Sequence, residues 1–258
     1  MIKFLVEEDM LCDKEELKQA IIECGCEYKG ISKESFDTFD PYDIWDSDVV
    51  FLGSLKLAKI VQAETFHTVF CGFKSFKCSE YYPYLAKYLL TDKWGITSAI
   101  NLKNNTNKEI FIRPNDGDKV FTGHICRTEN DYQEIIDCYE NPYELVVGMD
   151  IVDLRREWRL VVVDKKIISG QIYCDLTTNL DYTIMPPEVK ELGEKIIAEG
   201  YEPDKCWTID IAQINDDKEV KYGLVEINSF SCAGLYGSVE DIKNIIGAVK
   251  NLMENKNG

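Results

Sequence analysis

Alternating hydrophobic and polar positions divide the chain into a small α/β unit and a longer region of β-hairpins and helices. In the first unit, apolar runs predict strands over residues 2–6 and 48–52. Between them, apolar residues recur at helical spacing over residues 13–24, with acidic residues in the first turn that favour a helix start. The spacing of aromatic residues and leucines predicts a second helix over residues 81–94.

Three predicted β-hairpins then alternate with three predicted helices, a pattern typical of α+β layers. The hairpins span residues 109–126, 157–173 and 206–228, and the helices span residues 131–139, 187–198 and 239–253. An Asn-Asp-Gly sequence at residues 115–117 suits the turn of the first hairpin. Ser238 and Asp241 predict a capping box at the start of the last helix. We therefore expect an α+β protein with an N-terminal α/β domain over residues 1–88 and a second domain over residues 89–258.

Composition and charge exclude several classes of protein. The 258 residues are 45% hydrophobic and 29% charged, as in ordinary globular proteins. The formal net charge of −17 repels phosphate backbones and anionic membranes, so we expect neither a nucleic-acid nor a membrane partner. The first residues do not resemble an export signal, and no apolar run approaches the roughly 20 residues of a membrane span. We expect a cytoplasmic protein.

The ten cysteines raise the question of disulfides or a zinc site. They are scattered along the sequence without a Cys-x-x-Cys pair, and only two histidines could serve as further zinc ligands. Most of the cysteines lie in apolar runs. We therefore interpret them as reduced thiols in the core of a cytosolic protein.

The third hairpin carries three polar residues in otherwise apolar strands, namely Asp210, Glu226 and Asn228. Glu226 and Asn228 are two positions apart, so they project from one face of their strand. With a turn centred near Lys218, Asp210 lies opposite Glu226, and the two carboxylates are roughly 5 Å apart. Their repulsion, about 3 kcal/mol at an effective dielectric of about 20, favours a cation between them. Oxygen ligands suit Mg²⁺ that also holds phosphates, and the alternative is a solvated face of the sheet.

Several basic residues fall near the ends of the predicted hairpin strands. Arg113 ends the first strand of the first hairpin, and Lys119 begins the second. Arg159 lies in the second hairpin, with Tyr173 as an expected cross-strand neighbour, and Lys93 ends the second predicted helix. Each residue alone is interpreted as a surface charge or salt bridge. If they converge, they can neutralise a polyphosphate as phosphoryl-transfer sites require.

In this order, the motifs from Asp92 to Gly237 resemble the ATP-grasp superfamily. The motifs are Asp92-Lys93, FIRPNDGDKVFTG, ELVVGMDI, REWRLVVVDKKIISGQIY and the pair TIDIAQI and LVEINSF. The Glu-x-Asn sequence after a strand that carries Asp is the most specific of them. Arg113-Pro114 stands where most members have Lys-Pro, which exchanges a point charge for a planar fork. This exchange resembles a divergent clade of phages and bacteria.

The resemblance implies an ATP-grasp fold over residues 89–258 and a role for each motif residue. The Mg²⁺ ligands would be Asp210, Glu226 and Asn228. The phosphate-binding residues would be Lys93, Arg113 and Lys119. The adenine slot would be lined by Val146, Val147 and Met149. The ribose would be bound by Asp150 or Glu157, a choice that the sequence leaves open. The catalytic residues would be Arg159 and Lys119.

The family implies that ATP converts a carboxylate into an acyl-phosphate, which an amine or another nucleophile then attacks. The expected partners are therefore ATP, Mg²⁺ and small or peptide substrates that carry a carboxylate and an amine. Ser229 and Cys232 are expected to border the acceptor site. Two alternatives are a kinase-like phosphotransferase and a nucleotide-binding module without turnover. The substrates and the oligomeric state stay open.

Overall fold

The computed structural model contains three β-sheets and six α-helices within the residues that it describes. These residues are 1–10, 14–32, 48–64, 70–104, 108–117, 120–176, 184–216 and 219–256. None of the helices in these ranges is both long and apolar enough to cross a membrane.

The N-terminal sheet has three parallel strands in the order β2-β1-β3. The strands are β1 (Lys3–Glu7), β2 (Glu27–Ile31) and β3 (Val49–Leu52), and the helices of this region are α1 (Lys14–Glu23) and α2 (Leu55–Glu64). The predicted strands and first helix of this unit are confirmed, whereas β2 was not predicted. All the residues of β1 and β3 are buried, which explains why their apolar runs were recognisable.

The second sheet is antiparallel, with the strand order β4-β7-β5-β6. Its strands are β4 (Trp94–Ser98), β5 (Ile110–Pro114), β6 (His124–Cys126) and β7 (Leu145–Met149). Helix α4 (Glu129–Asp137) covers one face through Tyr132, Ile135 and Ile136. Strand β7 lies between β4 and β5, so its backbone is paired on both sides.

The helix predicted over residues 81–94 is wrong. Helix α3 (Cys78–Leu85) is followed by a short 3₁₀ segment (Ala86–Tyr88), and Trp94 begins β4. In β4, Trp94 pairs with Met149 and packs into the core between α3 and the third sheet. Tertiary pairing therefore overrides the local aromatic pattern.

The first hairpin is confirmed as a pair of antiparallel strands, but its predicted tight turn is wrong. Ile110 pairs with Cys126 and Ile112 with His124, so nine positions, residues 115–123, connect β5 to β6. The second strand begins at His124 and not at Lys119. Lys119 itself lies outside the described residues.

The third sheet is antiparallel and has the order β11-β10-β8-β9. Its strands are β8 (Leu154–Val163), β9 (Lys166–Asp175), β10 (Cys206–Asp216) and β11 (Glu219–Ser229). A 3₁₀ segment (Phe230–Cys232) follows β11, and the remaining helices are α5 (Pro187–Ala198) and α6 (Val239–Lys256). The predicted second and third hairpins and all three predicted later helices are confirmed.

Two hydrophobic clusters hold the third sheet in place. One cluster buries Trp158, Trp207 and Ile209 against α3 and α5. The other joins the N-terminal sheet and α1 to α6, with Ile21 and Ile246 fully buried. The polar end of the third sheet, which carries the candidate site, therefore has packed elements on both sides.

Candidate functional site

The third hairpin has the register that the sequence predicted. Asp210 lies opposite Glu226, but Ile211 lies opposite Leu224, so Val225 is the extra residue of a β-bulge. A bulge bends a strand and leaves backbone groups outside the regular ladder. Here it occurs directly beside the predicted carboxylate pair.

Asn228 joins the two carboxylates. Its Nδ2 donates to Oδ2 of Asp210 at 3.0 Å and to Oε1 of Glu226 at 2.8 Å. The three side chains thus meet on one face of the sheet, as predicted. Within the described ranges, no group of three or more His, Cys, Asp and Glu residues gathers as a metal site, so the Asn228 amide completes this oxygen-rich set.

Arg159 holds Asp210 from the neighbouring strand. Its Nε and Nη2 donate to the two carboxylate oxygens of Asp210 at 2.8 and 2.7 Å, a bidentate ion pair. The guanidinium carbon lies 4.8 Å from the ring centroid of Tyr173 and 5.7 Å from that of Tyr236. The backbone oxygen of Gly234 accepts a further bond from Nη1 at 3.4 Å. Arg159 is therefore held by charge, aromatic contact and backbone together.

Arg113 connects the second sheet to the third. Its Nη2 forms an ion pair with Oε2 of Glu226, and its Nη1 donates to the backbone oxygen of Val225 at 3.2 Å. That carbonyl belongs to the extra residue of the bulge. One planar guanidinium thus binds both the acid and the irregular backbone next to it, which a lysine ammonium cannot do with the same geometry.

Burial sets the ionisation of Asp210. The side chain is fully inaccessible, and this burial raises the pKa of its carboxyl above the ordinary value. The hydrogen bonds from Arg159 act in the opposite direction and favour the carboxylate, while the nearby Glu226 opposes it. The arginine is therefore what makes a buried carboxylate tolerable here.

These side chains lie at a cleft of about 1160 Å³ between the second and third sheets and the N-terminal region. The predicted site residues that line it are Arg113, Met149, Asp150, Glu157, Glu226 and Asn228. Ser229 and Cys232 also line it, as expected for residues at an acceptor end. The volume exceeds what a nucleotide alone requires, which leaves room for a second molecule.

Other predicted residues lie away from the cleft wall. Val146 and Val147 are fully buried and belong to different hydrophobic clusters on the two faces of the second sheet. The wall of the cleft near β7 is instead formed by Met149 and the residues that follow it. Lys93 is 74% exposed and pairs with Asp150 at 3.3 Å.

The two candidate ribose ligands both line the cleft, so the structure leaves the choice between them open. Asp150 is half exposed and close to Lys93. Glu157 accepts a hydrogen bond from the hydroxyl of Tyr173, which ties it to the aromatic support of Arg159. The Tyr173 contact with Arg159 was expected from the sequence, and it is confirmed.

Sequence reasoning missed two residues that support the site. Tyr236 stacks on Tyr173 with a centroid separation of 5.7 Å and an interplanar angle of 25°. Asn115 is buried just after Arg113, and its Oδ1 accepts from the backbone N–H of Ser79 at 2.8 Å in the first turn of α3. Only the short distance of Asn115 from Arg113 in sequence could have signalled its role.

The sequence comparison identifies one family. A family model described as an ATP-grasp domain, the second family of one clade of that superfamily, matches residues 92–242, which is more than half of the chain. No curated protein matches the sequence.

Solved structures with similar folds are ATP-grasp proteins. A RimK domain ATP-grasp protein from Sphaerobacter thermophilus has a TM-score of 0.64 at 12% identity, with 98% of this chain and 100% of that chain covered. D-alanine–D-alanine ligase from Bacillus anthracis, complexed with ATP, has a TM-score of 0.56 at 13% identity, with 99% of each chain covered. The macrocyclase MdnC from Microcystis aeruginosa, bound with the precursor peptide MdnA, has a TM-score of 0.58 at 12% identity, covering 99% and 100%. The predicted ATP-grasp fold is confirmed.

Proposed function

The chain belongs to the ATP-grasp superfamily, and from this premise we propose that it is an ATP-dependent ligase that joins a carboxylate to an amine. One observation carries the proposal. Two carboxylates and a carboxamide meet beside two arginines, and Arg113, Glu226 and Asn228 of this group line a cleft large enough for a nucleotide and a second substrate.

The donor set fits Mg²⁺. Asp210, Glu226 and Asn228 offer carboxylate and carboxamide oxygens, the ligands that a hard divalent cation prefers. Both carboxylates already point at one donor, the Asn228 amide nitrogen, at 3.0 and 2.8 Å. When bound, the cation would neutralise phosphate charge and orient the nucleotide.

The proposed reaction has two steps, in which the protein positions the reactants. A substrate carboxylate oxygen attacks the γ-phosphorus of ATP, and the bond to the β,γ-bridging oxygen breaks to release ADP. An amine then attacks the acyl-phosphate carbonyl, phosphate leaves, and the amine loses a proton. Arg159 and Lys119 are our candidates for stabilising the transferring phosphoryl group, and Lys93 and Arg113 for binding phosphates.

Arg113 and Arg159 would supply the cationic part of this environment. Both are largely buried, with side chains 19% and 11% exposed, so their charges act where water screens them weakly. Each is also fixed by more than one hydrogen bond, and fixed donors need no reorganisation during the reaction. In a chain with a net charge of −17, two converging arginines are the feature that suits a polyphosphate.

The substrates are proposed by class. The similar macrocyclase is bound with a precursor peptide, and the similar D-alanine–D-alanine ligase is complexed with ATP. These neighbours support peptides or amino acids as the carboxylate and amine partners. The N-terminal region contributes Leu55, Phe73 and Cys71 to the cleft wall, so we place the acceptor end there.

The proposal is tested by incubating the purified chain with ATP, Mg²⁺ and a panel of carboxylates with amines. A ligase releases ADP and phosphate together only when both substrates are present. Asp210→Asn and Glu226→Gln are expected to lose this release by at least 100-fold. A thermal shift with ATP and Mg²⁺ measures binding separately, and no shift in the wild type would contradict the proposal.

The same measurements distinguish the two alternatives. A kinase-like phosphotransferase produces ADP and a stable phosphorylated substrate, without free phosphate. A nucleotide-binding module shows the thermal shift but no ADP with any substrate pair. Either result would replace the ligase proposal.

A further inference from the structure

Cys71 and Cys232 lie together at the acceptor end of the cleft. Their sulfur atoms are 3.6 Å apart, although the residues are separated by 161 positions in sequence. The Sγ of Cys71 also donates to Oγ of Ser229 at 3.5 Å. We propose that these two cysteines are an oxidative modification site, in which a hydroperoxide converts the pair into a disulfide that changes access to the cleft.

The surrounding contacts hold both thiols in place. The rings of Phe70 and Phe230 meet edge to face, with centroids 6.2 Å apart, beside the cysteine pair. The N–H of Gly53 donates to the backbone oxygen of Ser231 at 2.8 Å, which fixes the segment that carries Cys232. Packing therefore keeps the two sulfurs near each other before any oxidation, which gives the pair a high effective concentration.

The segment that carries Cys71 is fixed on its other side as well. Oγ of Ser75 donates to the backbone oxygens of Gly72 and Pro203 at 2.8 and 2.9 Å. A disulfide requires a sulfur separation near 2.05 Å, so the two segments must approach by about 1.5 Å. This approach shifts the cleft wall immediately after Asn228 and Ser229.

The two cysteines differ in exposure, which assigns the order of the steps. Cys232 is partly exposed and lines the cleft, whereas Cys71 is only 3% exposed. A hydroperoxide therefore reaches Cys232 first. The hydrogen bond with Cys232 and burial both raise the pKa of the Cys71 thiol, so Cys71 is suited to the second step.

The chemistry balances with a hydroperoxide as the two-electron oxidant. The Cys232 sulfur attacks a peroxide oxygen, the O–O bond breaks, and with hydrogen peroxide a sulfenic acid and one water form. The Cys71 sulfur then attacks the sulfenic sulfur and displaces hydroxide, which takes the Cys71 proton and leaves as the second water. Both thiols are oxidised, and the peroxide is reduced to two waters.

The experiment treats the reduced full chain with hydrogen peroxide, blocks the remaining thiols and maps disulfides by mass spectrometry. We expect a Cys71–Cys232 link that dithiothreitol reverses. In Cys71→Ser, the sulfenic acid at Cys232 persists, and labelling by dimedone rises at least tenfold over wild type. Because Ser at the buried position 71 could impair folding, Cys232→Ser is a second variant, in which Cys71 stays reduced.

Cys138→Ser is the matched control, because Cys138 is exposed and lies outside the cleft wall. The link between Cys71 and Cys232 is expected to form in this variant as in wild type. Oxidation of Cys138 while Cys71 and Cys232 stay reduced would overturn the proposal. Equal dimedone labelling at Cys232 in wild type and Cys71→Ser would overturn it too.

The effect on access rests on the proposed function, whereas the mapping does not. We expect the oxidised chain to keep its thermal shift with ATP and to lose at least tenfold of its acceptor-dependent ADP release, with recovery in dithiothreitol. Unchanged release in the oxidised chain would overturn the effect on the cleft. A disulfide in a chain that never binds ATP would instead count against the ligase alone.

Discussion

Each carboxylate of the candidate site is paired with its own arginine. The sequence pattern predicted two acids with unrelieved repulsion, and it assigned both arginines to phosphates. In the structure, Asp210 binds Arg159 and Glu226 binds Arg113, while Asn228 donates to both acids. The charges are thus already balanced before a nucleotide enters, and this arrangement changes what a single substitution is expected to do.

Glu226→Gln is expected to destabilise the protein by about 1–3 kcal/mol, because it leaves the largely buried Arg113 without its counter-charge. From the sequence alone, removing one of two neighbouring acids would stabilise the metal-free chain. Urea denaturation measures the difference. Glu109→Gln is the control, since Glu109 pairs with Arg127 at an exposed position and its loss is worth at most about 0.5 kcal/mol. A Glu226→Gln chain more stable than wild type would show that repulsion dominates.

Arg159→Lys is expected to cost about 2 kcal/mol of stability, although it keeps the charge. A lysine cannot make the bidentate pair with Asp210 or the planar contact with Tyr173. The exposed Arg127→Lys is the matched control and should have little effect. Equal melting temperatures for the two variants would mean that the fork of Arg159 contributes nothing beyond its charge.

At the scale of elements, pairs of strands place the site more than any single strand does. Strands β8 and β10 bring Arg159 beside Asp210 in register, and the bulge in β11 exposes the Val225 carbonyl to Arg113. The helices mainly cover these sheets. Helix α4 is the case with the clearest local start, because a complete capping box closes its first turn.

Thr128→Ala is expected to destabilise the protein by about 1 kcal/mol. The Thr128 side chain accepts from the backbone N–H of Asp131, and the Asp131 carboxylate accepts from the N–H of Thr128 in return. Chemical denaturation followed by circular dichroism measures the loss. Thr122→Ala, at an exposed position outside the helix, serves as the control. Equal losses in both variants would show that the cap is unimportant.

At the scale of the whole molecule, the N-terminal sheet and the last helix share a hydrophobic cluster. Ile21 of α1 and Ile246 of α6 are both fully buried in it, together with Val161 of the third sheet. The division at residues 88 and 89 stays a prediction. The shared cluster nevertheless leads us to expect that the N-terminal region and the third sheet unfold together.

Ile21→Ala is expected to lower the stability of the whole chain by about 2–5 kcal/mol. The neighbouring Ile22 is 55% exposed, so Ile22→Ala is a matched control with little expected effect. Fluorescence of the buried Trp158 and Trp207 reports on the third sheet, far from the substitution in sequence. If Ile21→Ala leaves the tryptophan transition unchanged, the N-terminal region folds independently.

The sequence by itself determined the strand pairing that places Asp210 opposite Glu226, because alternation and turn position fix register over short separations. It also indicated the family through motifs in the right order. Only the tertiary structure decided the Arg113 pair with Glu226 and the contact of Cys71 with Cys232. These contacts join residues more than 100 positions apart, where packing between elements decides which side chains meet and local periodicity carries no information.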